Sequence, residues 1–431
     1  MPTTENGVTR EPGRRARVAV LAFKDHVLTC TDILNVARCW ARRGYGADIL
    51  AYDTGLYPQT GVAGDGVRLL LVRTLYGRLL PLVRRLRSGP GAPAGAPPVP
   101  DAVTGPPIFG RELFRAAVRG VRSLQAPEFF LRHTLRLLFG SCSCIIACDT
   151  VSLIVARTVN LVRGTPYLYH SRELVLSWDL SSPGARAAKW MERRCHKRAL
   201  FTVIQDRKRA DLLGRDNGVP AESFLIVPNA PQGAWTGAAS SYLHDRLGLP
   251  GNAPIVLHAG GVTPETMVLE IVESLAGWPP GPVLVVHGAA ETTYLPVLQA
   301  AAARFPGRVY FSTLLVPPEE VDPLFASAAV GLAFYRPVDD NFRFVGHAAG
   351  KIFNLMKVGV PVVSNDLPGL RELLDGNGCG RVVADPGCIG IVLREILADP
   401  GPLRARCRET FPRFEFSRNY AEVIRRVEAA R

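Results

Sequence analysis

Short apolar runs rich in β-branched residues alternate along this chain with stretches whose apolar positions recur every three to four residues. ARVAVLAF (16–23) predicts a strand, DILNVARCWARRG (32–44) an amphipathic helix stopped at Gly44, and ADILAYD (47–53) the next strand. Strand, helix and strand at this spacing predict a parallel βαβ unit. VRLLLVR (67–73), CSCIIACD (142–149), TPYLYHSRE (165–173), LFTVIQ (200–205) and SFLIVPN (223–229) continue the strands, with helices expected near 110–139 and over 184–199. The alternation then restarts with APIVLHAGG (253–261), PVLVVHG (282–288), GRVYFST (307–313), AVGLAFY (329–335), VPVVSND (360–366) and GRVVAD (380–385). The pattern predicts an α/β protein of two Rossmann-like domains facing a cleft, 16–229 and 230–412, with PNAPQGAWTG (228–237) as the linker. The last segment, 413–431, is expected to be a helix packing back on the first domain. Residues 87–107 are too rich in Pro and Gly to pack as an element and read as a mobile surface loop.

Composition narrows the class. A chain of 431 residues, 47% hydrophobic and 21% charged, can bury two cores. No apolar run reaches the roughly 18 to 20 residues of a membrane span. Met1 to Arg15 lacks the apolar centre of a signal peptide, so a cytoplasmic protein is expected. The net charge of +13 favours anionic partners. The arginines are dispersed along helices without a zinc finger or RNP-type pattern, which argues against nucleic acid. The Arg and apolar mixture FFLRHTLRLLF (129–139) leaves a membrane surface open but not favoured, because the segment also reads as a core-facing helix. The nine cysteines include one tight cluster, Cys142, Cys144 and Cys148, read as reduced strand residues rather than metal ligands. The first βα turn lacks G-x-G-x-x-G and the chain lacks a P-loop, which disfavours a dehydrogenase or P-loop enzyme.

One stretch carries chemistry. In HAAGKIFNLMKVGVPVV (347–363), the small residues Ala348, Ala349 and Gly350 let backbone amides approach a ligand, and a helix starting near Gly350 adds unpaired N–H groups and the positive end of its dipole. Lys351 at that start reads either as an anion-binding cation or as a solvated first-turn lysine.

The order SREL (171–174), VPNA (227–230), HAGG (258–261), DNFRFVGHAAGKIFNLMKVGVPVVSNDLPGLREL (340–373) and FEFSRNYAEVIRRV resembles the two-domain GT-B glycosyltransferases, and most of all glycosyltransferase family 4, retaining enzymes that use nucleotide-diphosphate sugars. The resemblance implies that Lys351, Ala349, Gly350, Asn341, Gly260 and Gly261 lie at the donor diphosphate. It also implies that the loop around Leu315 holds the nucleobase. Three departures stand out. No cation follows the glycine turn, where Val262, Thr263, Pro264 and Glu265 stand. The family's two glutamates are Gly346 and Asn354 here, and Asn354 reads as a ribose contact or as an exposed polar residue. Where relatives carry Ser-His-Glu-Leu, this chain has Arg172 and Glu173, and arginine stabilises an anion rather than acting as a base. Asp149 matches a cleft-facing residue of the family and reads equally as a helix N-cap. His170, His258 and His347 each read as structural.

Taken with the resemblance, the sequence leads us to expect a glycosyltransferase moving sugar from a UDP- or GDP-sugar to a small acceptor, with retention, in specialised biosynthesis. Arg172, Glu173, Asp149 and Lys351 form the expected catalytic set, and no metal or other cofactor is expected. Two rivals remain at this level: a peripheral membrane enzyme with a lipid-linked acceptor, and a non-catalytic partner subunit that kept the fold.

Overall fold

The structure, a computed structural model, describes residues 16–24, 27, 30–54, 66–78, 124–237, 239–251, 253–291, 293–313 and 316–430. The loop expected at 87–107, Leu315 and the helical stretch expected before residue 124 lie outside the described residues.

Two all-parallel sheets form the frame. The first contains β1 (Arg17–Leu21), β2 (Gly46–Asp53), β3 (Val67–Arg73), β4 (Cys144–Ala147), β5 (Tyr167–His170), β6 (Thr202–Ile204) and β7 (Phe224–Ile226), in the order β3-β2-β1-β4-β5-β6-β7. The second contains β8 (Ile255–Ala259), β9 (Val283–His287), β10 (Val309–Ser312), β11 (Val330–Ala333), β12 (Val362–Asn365) and β13 (Gly380–Val383), in the order β10-β9-β8-β11-β12-β13. Both sheets are covered by helices, so central strands such as β4, β8 and β9 are buried along their whole length and read as unbroken apolar runs. In each sheet the strand order reverses direction between its first and fourth strands. That reversal opens a crevice beyond the carboxyl ends of β1 and β4 in one sheet and of β8 and β11 in the other.

The helices that position the site are α1 (Thr31–Arg42), α2 (Gln125–Phe139), α3 (Thr150–Arg163), α4 (Pro183–His196), α5 (Arg207–Asn217), α6 (Gly350–Lys357) and α7 (Phe416–Ala429). The sequence pattern had not singled out α3 and α5. Both begin on an aspartate cap, Asp149 and Asp206, and end at a left-handed glycine, Gly164 and Gly218. Helix α7 returns from the second half to the first: Phe416, Tyr420, Val423 and Val427 share a core with Val36, Trp40 and Val18. Arg43 pairs with Glu428 across that contact at 2.9 Å.

The halves also meet at the carboxyl ends of the strands. Asn341 accepts hydrogen bonds from Leu174 N (2.7 Å) and Arg209 Nη2 (2.9 Å) and donates to Leu174 O (2.8 Å). Arg209 of α5 is buried, with Nη1 on the carbonyls of Asn341 and Phe344 and Nη2 also on that of Arg172, while its Nε has no partner. Among the described residues no helix is long and apolar enough to cross a membrane. Helix α2 differs from expectation: Phe129, His133 and Leu137 face the core, whereas Leu131, Leu135 and Phe139 are exposed.

Candidate active site

In the second sheet the crevice is built by three backbone features. Strand β8 ends in Gly260, which has φ +115°, a conformation that glycine adopts without strain. A Cβ added there would lie 3.3 Å from Lys351 Cε and 3.5 Å from its Nζ, so Gly260 leaves the room that Lys351 fills. Gly288 is tighter still, since its Cβ would fall 1.8 Å from the Gly260 carbonyl oxygen. The third feature is the 346–349 turn before α6. The linker residue Asn229 clamps it, with its amide nitrogen on the His347 carbonyl (2.9 Å) and Nδ2 on the Ala348 carbonyl (3.0 Å).

Lys351 enters this crevice from the first turn of α6. Its stem is half-buried, but the amine is fully shielded and has no hydrogen-bond partner. Tyr335, just beyond β11, presents its ring with the centroid 5.2 Å from Nζ. Burial pushes the Lys351 amine down to about 7, and no carboxylate offsets that cost. His258 beside it is buried and held neutral, its pKa driven well down by burial and then by Lys351. Its Nδ1 is likewise unpaired, while Nε2 lies 3.3 Å from the Gly261 carbonyl. Buried donors without partners are uncommon in folded proteins and are costly, so an unpaired amine here calls for an explanation.

The remaining expected donor residues divide. Ala349 and Gly350 form the turn into α6 beside Lys351, and the Ala349 amide is already donated to Val345 O (2.8 Å). Gly261 is not sterically required, because a Cβ there would meet open space. The Asn341 side chain is engaged by Leu174 and Arg209 across the two halves. Asn354 Nδ2 donates to the carbonyl of Gly350 one turn back (2.9 Å), so its amide serves the helix. The missing cation after the glycine turn has a neighbour: the Arg336 amide bonds the Glu265 carbonyl (2.8 Å). Its guanidinium, however, is held by Glu270.

The crevice of the first sheet contains the expected carboxylate and arginine, Asp149 in the cap role that its sequence also allowed and Arg172 in an ion pair. Asp149 accepts from Ser152 N (2.8 Å), Ser152 Oγ (3.0 Å) and Phe23 N (2.6 Å). It therefore caps α3 and ties the end of β1 to that of β4, and burial, outweighing these donors, raises its pKa above the ordinary carboxylate range. Arg172 is paired with Asp32 of α1 through Nε and Nη2, the latter at 3.0 Å. Burial works against the Asp32 charge, and the guanidinium outweighs it and keeps the carboxyl below its usual range. Glu173 is exposed at the crevice mouth, 3.7 Å from Lys24. His170 is buried and neutral, lowered to about 4 by burial. His347 packs against Phe353 and Phe414, in keeping with a structural part.

Two parallel-sheet domains joined in this way are the GT-B architecture. The fold is similar to that of Anabaena HepE solved in complex with UDP and glucose, with a TM-score of 0.66 and 13% identity over 97% of this chain and 100% of that one. It is similar also to sucrose-phosphate synthase from Thermosynechococcus elongatus, with a TM-score of 0.66 and 16% identity over 97% and 100% of the two chains. WaaG, a glycosyltransferase involved in lipopolysaccharide biosynthesis, aligns with a TM-score of 0.57 and 15% identity over 94% of this chain and 99% of its own. No protein-family model and no curated protein matches the chain. At such identities the likeness establishes the fold.

Proposed function

We propose that this protein is a glycosyltransferase that takes its sugar from a nucleotide-diphosphate donor, UDP- or GDP-linked, held in the β8–β11 crevice. The observation that carries the reading is the shielded, unpaired amine of Lys351 packed on Gly260 at the start of α6. A diphosphate supplies the charge that the protein itself does not. HepE, which shares the fold, was solved with UDP and glucose. On this reading Lys351 neutralises the departing diphosphate as the anomeric bond breaks. The chemistry is then leaving-group stabilisation without a metal ion. The acceptor, a small molecule, sits on the first domain near Glu173. Retention of configuration is carried over from the family resemblance, whereas a place in specialised cytoplasmic biosynthesis rests on the Arg-rich composition, the altered motifs and the polar first residues.

Calorimetry with UDP, GDP and AMP tests the donor assignment. A diphosphate should bind, and Lys351→Ala should weaken it about tenfold or more, since a charge-assisted contact contributes roughly 1.5 to 3 kcal/mol. Equal affinity of the variant would remove the assignment. Tight donor binding without sugar transfer to any soluble acceptor would instead favour a non-catalytic subunit.

A further inference from the structure

Helix α2 carries a second amphipathic pattern on the side turned away from the core. Leu131, Leu135 and Phe139, spaced one turn apart, are 57%, 44% and 88% exposed. On the neighbouring α3, Leu161 and Val162 are each 67% exposed. The ends of the two helices are fastened together, because Arg163 of α3 donates to the carbonyls of Leu137 and Leu138 at 3.0 Å and to that of Gly140. The five apolar side chains thus gather toward one end of the first domain, at the amino ends of its strands and opposite the crevice.

The charges around them are predominantly positive. Arg132 and Arg136 flank the stripe on α2, with Glu128 the one acid on that face, paired to Arg132 at 2.7 Å. Beside Phe139 opens a cavity of about 1210 Å³ whose walls carry Arg17 and Arg68, which share the single carboxylate Asp48, Arg163, which holds the helix-end carbonyls, and Arg136, leaving a net positive charge. Exposed leucines and a phenylalanine among arginines suit the boundary between headgroups and acyl chains, where apolar side chains enter and cations meet anionic lipid.

We propose that the α2–α3 face docks on a membrane surface rich in anionic lipid, with Phe139, Leu135 and Leu161 entering the interface and the cavity arginines receiving headgroup phosphates. The proposal is independent of the sugar-transfer reading, because it uses no residue of the crevice.

Cosedimentation of the full chain with vesicles tests it, comparing phosphatidylcholine alone with phosphatidylcholine containing phosphatidylglycerol. Wild type should pellet with the anionic vesicles, less so at high salt. The double variant Leu135→Ser with Phe139→Ser should lower the partition coefficient about tenfold or more. Arg136→Glu should also lower it, and melting curves should stay close to wild type because these side chains are exposed. Wild type remaining in the supernatant, or variants that pellet equally, would overturn the proposal. So would velocity sedimentation showing a dimer that the double serine variant dissolves, since a second copy would then be the occupant.

Discussion

The two crevices occupy equivalent places in their sheets yet treat charge in opposite ways. Beyond β1 and β4, Asp149 has three donors and Asp32 is closed on Arg172, so the local charges are met internally. Beyond β8 and β11, Lys351 and His258 hold shielded nitrogens with no protein partner, and the lysine is pushed to about 7. Charges closed on internal partners, as Asp149 and Asp32 are, serve the stability of the fold, even where a neutral neighbour such as His170 keeps an unpaired Nδ1. A buried cation left uncompensated costs stability and is retained where a ligand repays it.

The largest effect expected from breaking this contrast is on the satisfied side. Asp32→Ala leaves Arg172 buried and unpaired and should destabilise the fold by about 3 to 5 kcal/mol in denaturant unfolding. A change below about 1 kcal/mol would mean that the pair is not closed in solution.

Lys351→Met should do the reverse, stabilising the protein while abolishing nucleotide binding. The folded pKa of about 7 lies below the ordinary 10.5, so the cost of the buried charge is fully present below pH 7 and is relieved as pH rises toward 10.5. The whole shift corresponds to roughly 5 kcal/mol. The half-exposed stem permits relaxation, and a gain of about 2 to 4 kcal/mol near pH 6 is expected, shrinking at alkaline pH. A destabilised methionine variant would show that the lysine already has a partner.

The affinity for UDP or GDP should itself fall as pH rises above about 7, by up to about tenfold per pH unit, because the anion binds the protonated amine. A flat profile from neutral to alkaline pH would contradict that. The smallest effect concerns Asn354. Its amide serves the Gly350 carbonyl, so Asn354→Ala should change donor affinity by no more than about 0.5 kcal/mol. A larger loss would return the residue to the ribose.

The strands were readable because buried parallel strands are largely apolar runs, and each of the second-half runs from APIVLHAGG to GRVVAD became a strand. Helix α3 was harder: TVSLIVARTVNLVR is rich in β-branched residues that favour strands, and its aspartate cap and terminal glycine decide the matter. Lys351 could be suspected from its small neighbours, but the loss of solvent around its amine depends on Tyr335 and Gly260, brought in from other strands. The partners of Arg172 and Asn341 lie 140 and 167 residues away, and local patterns do not register contacts at that distance. The same limit applies to α2, where the stripe that looked core-facing proved to be two stripes on opposite sides.

The central claim is that Lys351 waits largely neutral and becomes charged when a diphosphate binds. Proton uptake on UDP or GDP binding near pH 8, read from calorimetry in buffers of different ionisation enthalpy, tests it directly. Wild type should take up close to one proton per nucleotide, and Lys351→Arg, charged throughout, should bind with almost none. Binding without uptake in wild type, or equal uptake in both proteins, would contradict the claim.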